Sequence, residues 1–289
     1  MIGIGIDIGG TAVKVAAADG AGTVMWTGRS AAYSRPTLPR LAAAIREAAG
    51  GRAGTPGPSA AVGAAVCVPG LLSEDRKSVV RSVNVPALGG VRLDELVSGA
   101  LGFKPASLAV TTDTHATAYD LYRSRRPRGR LFVLAIGTGV GAAVLDDGRP
   151  LWVDGDSPGH FGQVDVSLDG EKVVGPDGGA GSLEGYLSAA ALAARYGAEP
   201  GAWIRAVRTE HPPMRALIRA VRIAHAMFRP QHVVLAGGIG IRLSELTVEL
   251  RAAVADRLTN IARPDWTLST GDSDFHAAQG AARLALTSV

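Results

Sequence analysis

Two glycine–threonine stretches and two acids in this chain have the types and spacing for anion chemistry. Asp7 stands two residues before Gly9-Gly10-Thr11, and Gly137-Thr138-Gly139-Val140-Gly141 follows the apolar run 131–136. Backbone N–H groups in a glycine-rich turn can converge on one anion, because no Cβ blocks the approach. One such loop is ordinarily only a turn. Two, each with a threonine hydroxyl and each ending an apolar run, point to phosphate. Asp7 is placed where a divalent cation could bridge phosphate oxygens; a carboxylate at the end of a buried strand otherwise needs some other partner. Lys14 reads equally as a phosphate partner or as a solvated strand residue. Asp113, in Thr111-Thr112-Asp113-Thr114-His115, reads either as a catalytic acid or base or as the N-cap of a following helix.

The elements that must position these groups follow from periodicity. Isoleucines alternate with Gly3, Gly5 and Asp7 through 2–8, which predicts a strand. Strand-like runs at 13–18 and 23–27 follow, with a turn at 19–22, so the first glycine loop joins two strands. A dinucleotide fingerprint would lead from G-x-G-x-x-G into a helix, and a Walker A loop needs G-x-x-x-x-G-K-[ST]; neither is present. Residues 38–49 predict a helix ended by Gly50-Gly51, and 60–68 a strand stopped by Pro69-Gly70. Signals are then weak until the strand 107–111, which a helix over 116–122 follows. The strand 131–136 opens onto the second glycine loop, 142–145 continues as strand, and Asp147-Gly148 makes the turn. This unit lies 128 residues after the first, Gly9 against Gly137, which suggests an internal repeat. Helices are predicted at 214–228, 243–261 and 277–286, with a strand at 232–235 that ends in Ala236-Gly237-Gly238-Ile239-Gly240.

Composition limits the alternatives. At 289 residues and 47% hydrophobic, the chain has room for two domains with their own cores. Glycine supplies 38 residues, nearly twice the usual ~7% share. It has no G-X-Y period, and apolar-periodic segments separate its clusters, which excludes collagen and low-complexity disorder. The net charge of +4 raises the question of nucleic acid. Its dense basic cluster, Arg123, Arg125, Arg126, Arg128 and Arg130, lacks a recognition helix, zinc-finger spacing or interleaved aromatics. A solvated surface or a polyanion site are its two readings, and no nucleic-acid partner is expected. The single cysteine, Cys67, allows no intramolecular disulfide and sits in an apolar run as a buried, inert thiol. With no basic leader, no cleavage site and no apolar span of about 18 residues, a soluble cytoplasmic protein without membrane contact is expected.

At Asp7-Ile8-Gly9-Gly10-Thr11-Ala12-Val13-Lys14 the chain resembles the first phosphate motif of the ROK family of sugar kinases and repressors, members of the actin-like, hexokinase-like ATPase superfamily. Ile136-Gly137-Thr138-Gly139-Val140-Gly141 resembles the second phosphate motif, and Pro230 through Val233-Val234-Leu235-Ala236-Gly237-Gly238 the adenosine motif. The closing stretch 271–282, with Gln279-Gly280-Ala281-Ala282, resembles the family's last helix. The resemblance implies an α/β, two-lobed actin-like (ribonuclease H-like) fold, each lobe a mixed sheet flanked by helices. One lobe would comprise 1–112 completed by 277–289, the other 113–276. It implies an ATP- and Mg²⁺-dependent sugar kinase whose lobes close over a hexose or related sugar, as in glucokinases or N-acetylhexosamine kinases, and a homodimer.

In that frame Asp113 is the catalytic base that takes the proton from the attacking sugar hydroxyl. Asp7, Gly9, Gly10, Thr11, Lys14, Gly137, Thr138 and Gly139 serve the phosphates and magnesium, Asp7 through water. Gly237 and Gly238 border the adenosine. Asn84, Thr112, Asp113, His160, Gln163 and Glu184 are the expected sugar contacts. Departures from the family pattern are concentrated between 155 and 188. Thr112 replaces the usual asparagine, and His160 the first sugar glutamate. Gln163 stands where the family's zinc histidine belongs, and Gly175, Asp177 and Ser182 stand where its cysteines belong. Structural zinc needs four N/S ligands, so no zinc is expected. Because the phosphate motif begins at residue 7, no helix-turn-helix like that of the family's repressors is expected. The alternatives are a non-catalytic sugar- or nucleotide-binding regulator of the same fold and a kinase drawing on polyphosphate.

Overall fold

The computed structural model describes residues 1–51, 62–153, 159–197 and 202–287. They form two compact units, Met1–Leu121 with Phe275–Val289, and Tyr122–Asp274. No helix among the described residues is long and apolar enough to cross a membrane.

The first unit is built on a five-stranded sheet. Its strands are β1 (Ile2–Ile8), β2 (Val13–Asp19), β3 (Val24–Arg29), β4 (Val62–Cys67) and, after a two-stranded hairpin β5 (Leu71–Leu72) and β6 (Val79–Arg81), β7 (Ser107–Thr111). The sheet order is β3-β2-β1-β4-β7. β1 pairs antiparallel with β2 and parallel with β4, which pairs parallel with β7. Helices α1 (Leu38–Ala49), α2 (Leu93–Leu101), α3 (Asp113–Arg125) as far as Leu121, and the terminal helix (His276–Ala285) complete the unit. The start of α1 is set by Thr37, whose hydroxyl accepts from Arg40 N, and its end by Gly50 at φ 58°, whose N–H reaches back to Arg46 and Glu47.

Residue size, not only polarity, separates the two faces of this sheet. Ile4, Ile6, Ile8, Val13, Val15, Ala64 and Val66 pack with Leu41, Ala44 and Ile45 of α1 and Leu93, Leu96 and Val97 of α2. The opposite face carries Gly3, Gly5, Ala16, Ala18, Ala65 and Cys67. There Ala16 and Ala18 meet Ala278 and Ala282, and Ala65 and Cys67 meet Ala281, Ala285 and Ala116. With nothing larger than a thiol in the way, the terminal helix lies backbone-close on β1. A Cβ on Gly5 would overlap the carbonyl of Ala278 and the amide of Ala282, and one on Gly280 would overlap the carbonyl of Ala116 in α3. Asp120, 1% exposed, ties α3 to the same helix through His276 Nδ1 at 2.6 Å and an ion pair with Arg283.

These contacts place α3 as far as Leu121 in the first unit; the units divide at 121/122 and 274/275, where 112/113 and 276/277 are the expected divisions. Three helix and strand expectations also change. α3 begins at Asp113 rather than 116, the helix expected over 243–261 is shorter, and α2 with β5 and β6 fills the interval where sequence signals were weak. Residues 60 and 61 of the expected strand lie outside the described residues.

The second unit repeats the plan. β8 (Arg130–Ile136) hairpins into β9 (Val140–Asp146), followed by β10 (Arg149–Pro150), α4 (Leu183–Leu187), α5 (Ala189–Tyr196), α6 (Ala202–Ala206), α7 (Pro212–Phe228), β11 (His232–Ala236), α8 (Gly237–Gly240), α9 (Thr247–Ala255) and β12 (Thr267–Thr270). The order β10-β9-β8-β11-β12 mirrors the first sheet, with the hairpin on one side of the leading strand and two parallel strands on the other. Residues 241–246 are 3₁₀, α9 ends at Ala255 and turns occupy the stretch before β12. Thr259-Asn260 and Pro264 oppose continuation as helix, and Ile261 is 67% exposed rather than in the core.

Phe132 and Phe161 meet edge-on at 5.1 Å and Phe132 stacks with Phe228 at 5.9 Å, joining the sheet to α7. His225 of α7 lies edge-on to Trp266 at 4.5 Å, 2% exposed, with neither ring nitrogen hydrogen-bonded. Burial pulls its pKa down to about 4, and burial followed by the Arg76 charge does the same to His115 in the first unit. Both histidines therefore take up protons more readily in the unfolded chain. Their contribution is complete above the ordinary histidine range and is lost as pH falls from about 6.5 toward 4. Stability between pH 8 and pH 5 is expected to drop by about 1–2 kcal/mol for each. Urea titrations of wild type and His225→Phe at both pH values check this. The variant should lose less stability on acidification, and an unchanged drop would remove His225 from the account.

Candidate active site

In the first unit, parallel pairing brings the chemistry to one edge of the sheet. Asp7, Cys67 and Thr111 are in register across β1, β4 and β7, so the residues that follow β1 and β7 emerge at the same end. Asp7 is 7% exposed. Lys14 sits opposite Asp7 on β2, and Arg29 opposite Lys14 on β3. Lys14 and Arg29 lie 6.0 and 5.5 Å from the centre of the Phe275 ring. Asp7 and Asp113 both push the Cys67 thiol pKa up, after burial as the larger cause. The thiol itself is too well buried to act as a nucleophile.

Thr112, not Asp113, caps α3: its hydroxyl accepts from His115 N at 3.2 Å and its carbonyl from Ala116 N at 3.1 Å. Asp113 is thereby released from capping, and its Oδ1 accepts the adjacent Thr114 N–H at 2.8 Å. Burial raises the Asp113 carboxyl above the ordinary aspartate range, with the Thr114 N–H and Lys14 pulling the other way. A carboxylate held in this manner is suited to accept a proton. Asn84 is half-buried in the bend before a 3₁₀ turn at 86–88.

The first glycine loop is a tight turn closed by Gly9 N to Ala12 O at 3.1 Å. A second strip of chain, 30–33, braces it from behind. Ser30 exchanges two bonds with Val13, and Tyr33 donates through its amide to Thr11 O and through its hydroxyl to Gly9 O. Sequence reasoning did not single out Tyr33; an isolated tyrosine in a polar linker carries no signal until the chain folds it back onto the loop.

In the second unit the corresponding loop spans Gly137–Gly139, closed by Gly137 N to Gly139 O at 2.9 Å. Register again brings two loops to one end, since Ala135 pairs with Ala236 and Gly237 follows directly. Gly237, at φ 77°, packs so closely on Ile136 that a side chain would not fit. Gly137 and Gly238, in contrast, have no protein atom within 4 Å of where a Cβ would stand. Open space beside glycines at two strand ends leaves room for a nucleotide phosphate and its sugar to reach backbone N–H groups. Within the first unit, the carboxylate of Asp7 and the cation of Lys14 are groups that fit a magnesium–phosphate group.

Glu184, 8% exposed, accepts Val140 N at 2.8 Å through Oε2. Gly162 packs on the Val140 carbonyl close to the same oxygen. Glu184 therefore joins the 137–140 loop, the 161–163 turn and α4. His160 is exposed and its carbonyl accepts Gln163 N at 2.9 Å. Positions 163, 175, 177 and 182 do gather: a Cβ on Gly175 would lie 3.2 Å from Asp177 Oδ1 and against Ser182 Oγ, and one on Gly179 would lie 3.2 Å from Gln163 Oε1. Hydrogen bonds close this loop, with Gly175 N to Gly179 O at 2.8 Å, Gly178 N to Gly175 O at 3.0 Å and Gly181 N to Val173 O at 2.8 Å. Among the described residues no group of three or more histidine, cysteine, aspartate or glutamate side chains is arranged to hold a metal ion.

The arginine cluster lies elsewhere. Arg130 opens β8 and bonds Phe228 O and Asp146, while Arg125 reaches Ser269 and Thr270. His232 bridges Thr267 and the Arg128 carbonyl. This is the start of β8, about 20 Å along the strand from the glycine loop at its end.

A family model described as the ROK family matches residues 3–288. An N-acetyl-D-glucosamine kinase from Erwinia tasmaniensis is 28% identical over 196 residues, which cover 64% of this chain and 62% of that protein, so the match spans less than two thirds of the relative's length. The crystal structure of a ROK family glucokinase from Streptomyces griseus in complex with glucose and AMPPNP superimposes with a TM-score of 0.77 at 22% identity, covering 99% of this chain and 100% of that one. An inorganic polyphosphate/ATP-glucomannokinase from Arthrobacter sp. strain KM matches with a TM-score of 0.65 at 21% identity, over 99% and 98% of the two chains.

Proposed function

The chain belongs to the ROK family, and on that premise we propose that it is a sugar kinase that transfers the γ-phosphate of ATP to a hydroxyl of a hexose or N-acetylhexosamine. The observation that carries this reading is the arrangement of the first unit: a phosphate-type glycine loop, Asp7 and a half-buried Asp113 that leaves the cap of α3 to Thr112, at one end of one mixed sheet. The second unit supports it with two open glycine loops at a single strand end. Asp113 accepts the proton of the attacking hydroxyl, so that the oxygen is a stronger nucleophile as it approaches phosphorus. Gly9, Gly10, Thr11, Gly137, Thr138 and Gly139 hold phosphate oxygens through backbone N–H groups and hydroxyls, and Lys14 adds a positive charge. Gly237 and Gly238 border the nucleoside. Magnesium bound near Asp7 would neutralise charge on the phosphates during transfer.

Asn84, Thr112, Asp113, His160, Gln163 and Glu184 are the proposed sugar contacts. Thr112 spends its hydroxyl acceptor on the cap of α3 and so offers the sugar less than the asparagine it replaces. His160 offers one donor and one acceptor where a glutamate offers two acceptors, and such exchanges shift which hydroxyl pattern is preferred. We assign ATP rather than polyphosphate as donor because the arginine cluster lies at the wrong end of β8 to hold a reacting phosphate. We propose the cytoplasm, where ATP is supplied, as the place of this activity.

The test is a coupled assay of the purified protein with glucose, mannose, N-acetylglucosamine and N-acetylmannosamine, each with magnesium ATP and with polyphosphate. Sugar-dependent ADP formation supports the reading. Binding of ATP and a sugar by calorimetry without product would overturn it in favour of a non-catalytic binding protein, and turnover with polyphosphate alone would overturn the choice of donor.

A further inference from the structure

We propose that Tyr33 is a positioning residue for the transferred phosphate: it is a two-point tether that fixes the direction of the N–H groups of the first glycine loop. The proposal rests on the kinase reading above. Tyr33 N donates to Thr11 O at 2.9 Å and Tyr33 Oη donates to Gly9 O at 2.6 Å. In a trans peptide the carbonyl and the following N–H point in opposite directions. Holding the Gly9 carbonyl on the Tyr33 side therefore turns the Gly10 N–H to the other face of the loop, and holding the Thr11 carbonyl does the same for the Ala12 N–H.

A Gly-Gly peptide is where such a tether has most effect. Glycine populates both signs of φ almost equally, so without an external anchor the Gly9–Gly10 unit is free to rotate its N–H away from a phosphate. Ordering it at each binding event would then cost affinity. The bond within the loop, Gly9 N to Ala12 O, restrains neither of the two carbonyls that Tyr33 takes.

The tether is itself anchored to α1. Arg40 lies over the Tyr33 ring at 5.9 Å and pairs with Glu47 at 3.4 Å, and Glu47 accepts Ala31 N at 2.6 Å. Ser30, 4% exposed, clasps Val13 twice: its N–H donates to the Val13 carbonyl and its hydroxyl accepts the Val13 N–H. The phenol stays a donor at every physiological pH, because burial and then the Asp7 charge hold its pKa well above the ordinary tyrosine range against the opposing Arg40.

Tyr33→Phe removes the hydroxyl and keeps the ring beneath Arg40. Calorimetry measures the affinities of magnesium AMPPNP and magnesium ADP, and steady-state kinetics gives kcat and KM. Wild type should prefer AMPPNP; the variant should lose about tenfold of that preference and about tenfold in kcat, with ADP affinity, sugar KM and Tm close to wild type. p-Aminophenylalanine at position 33, which can donate to the same carbonyl, should restore both. A variant that keeps the wild-type AMPPNP preference and kcat overturns the proposal, as does one in which both nucleotide affinities fall together with Tm. Wild type that binds neither nucleotide defeats the kinase reading itself, and this inference with it.

Discussion

Asp113→Asn is expected to lower kcat by about 10²–10⁴-fold while sugar and ATP affinities change little. The amide is the same size and its Oδ1 can still accept the Thr114 N–H that the carboxylate accepts at 2.8 Å, so α3 and its cap at Thr112 stay intact. What is lost is the capacity to take a proton as the sugar oxygen attacks. Single-turnover measurements separate this from a binding defect, since a lower rate at saturating substrate with unchanged affinity is a loss in the transition state alone. The pH dependence gives a second reading. The base is active when ionised, so kcat/KM rises with pH through its pKa, and burial sets that pKa above the ordinary aspartate range. Lys14 pulls it down, so Lys14→Met should move the acid limb to higher pH. Full activity in Asp113→Asn would place the base elsewhere.

Gly5→Ala is expected to be the most damaging single methyl in the first unit. Its Cβ would run into the carbonyl of Ala278 and the amide of Ala282, both backbone atoms of the terminal helix that cannot swing aside as a side chain would. Relief requires the helix to lift from β1, which would also loosen Gly280 from Ala116 and strain the Asp120 pairs to His276 and Arg283. Overpacking of this kind costs about 3 kcal/mol or more, a fall in Tm of roughly 6–12 °C for a chain of this size. Gly99→Ala in α2 is the control. No atom stands within 4 Å of its Cβ position, and alanine in a helix interior should hold or raise Tm by removing glycine's entropic cost. Differential scanning calorimetry of the two variants decides the matter; equal Tm values would mean that the terminal helix does not need the bare glycine surface.

Several parts of the site were legible from residue order alone. The glycine loops announce themselves because each interrupts an alternating apolar run and returns as another strand, a local pattern that tertiary context has little power to change. Helix α1 was legible to both ends for the same reason, since Thr37, Pro39 and Gly50 are local stop and start signals. The region between β4 and β7 was not. Its hairpin β5–β6 has strands of two and three residues, too short to show a period. α2 depends on burying Leu93, Leu96 and Val97 against a sheet face that sequence windows cannot see. The stretch after Leu243 misled because its apolar spacing suits a helix, while Thr259-Asn260 and Pro264 end it early.

Asp113 shows where local reasoning stops. An acid at a strand end before a helix reads as a cap or as a catalyst, and the capping role went to a neighbour: Thr112 takes the capping bonds. Its membership of the first unit was likewise invisible, because the contacts that decide it come from Gly280, His276 and Arg283, about 160 residues further along the chain. Residue order by itself determined the two phosphate-type loops, the repeated hairpin plan and the family. Those depend on periodicity and on glycine's missing side chain, which act over a few residues. Only the tertiary structure decided which unit Asp113 belongs to, what braces the first loop, and why one face of a sheet is bare, since each is a contact between segments whose separation along the chain carries no local signal.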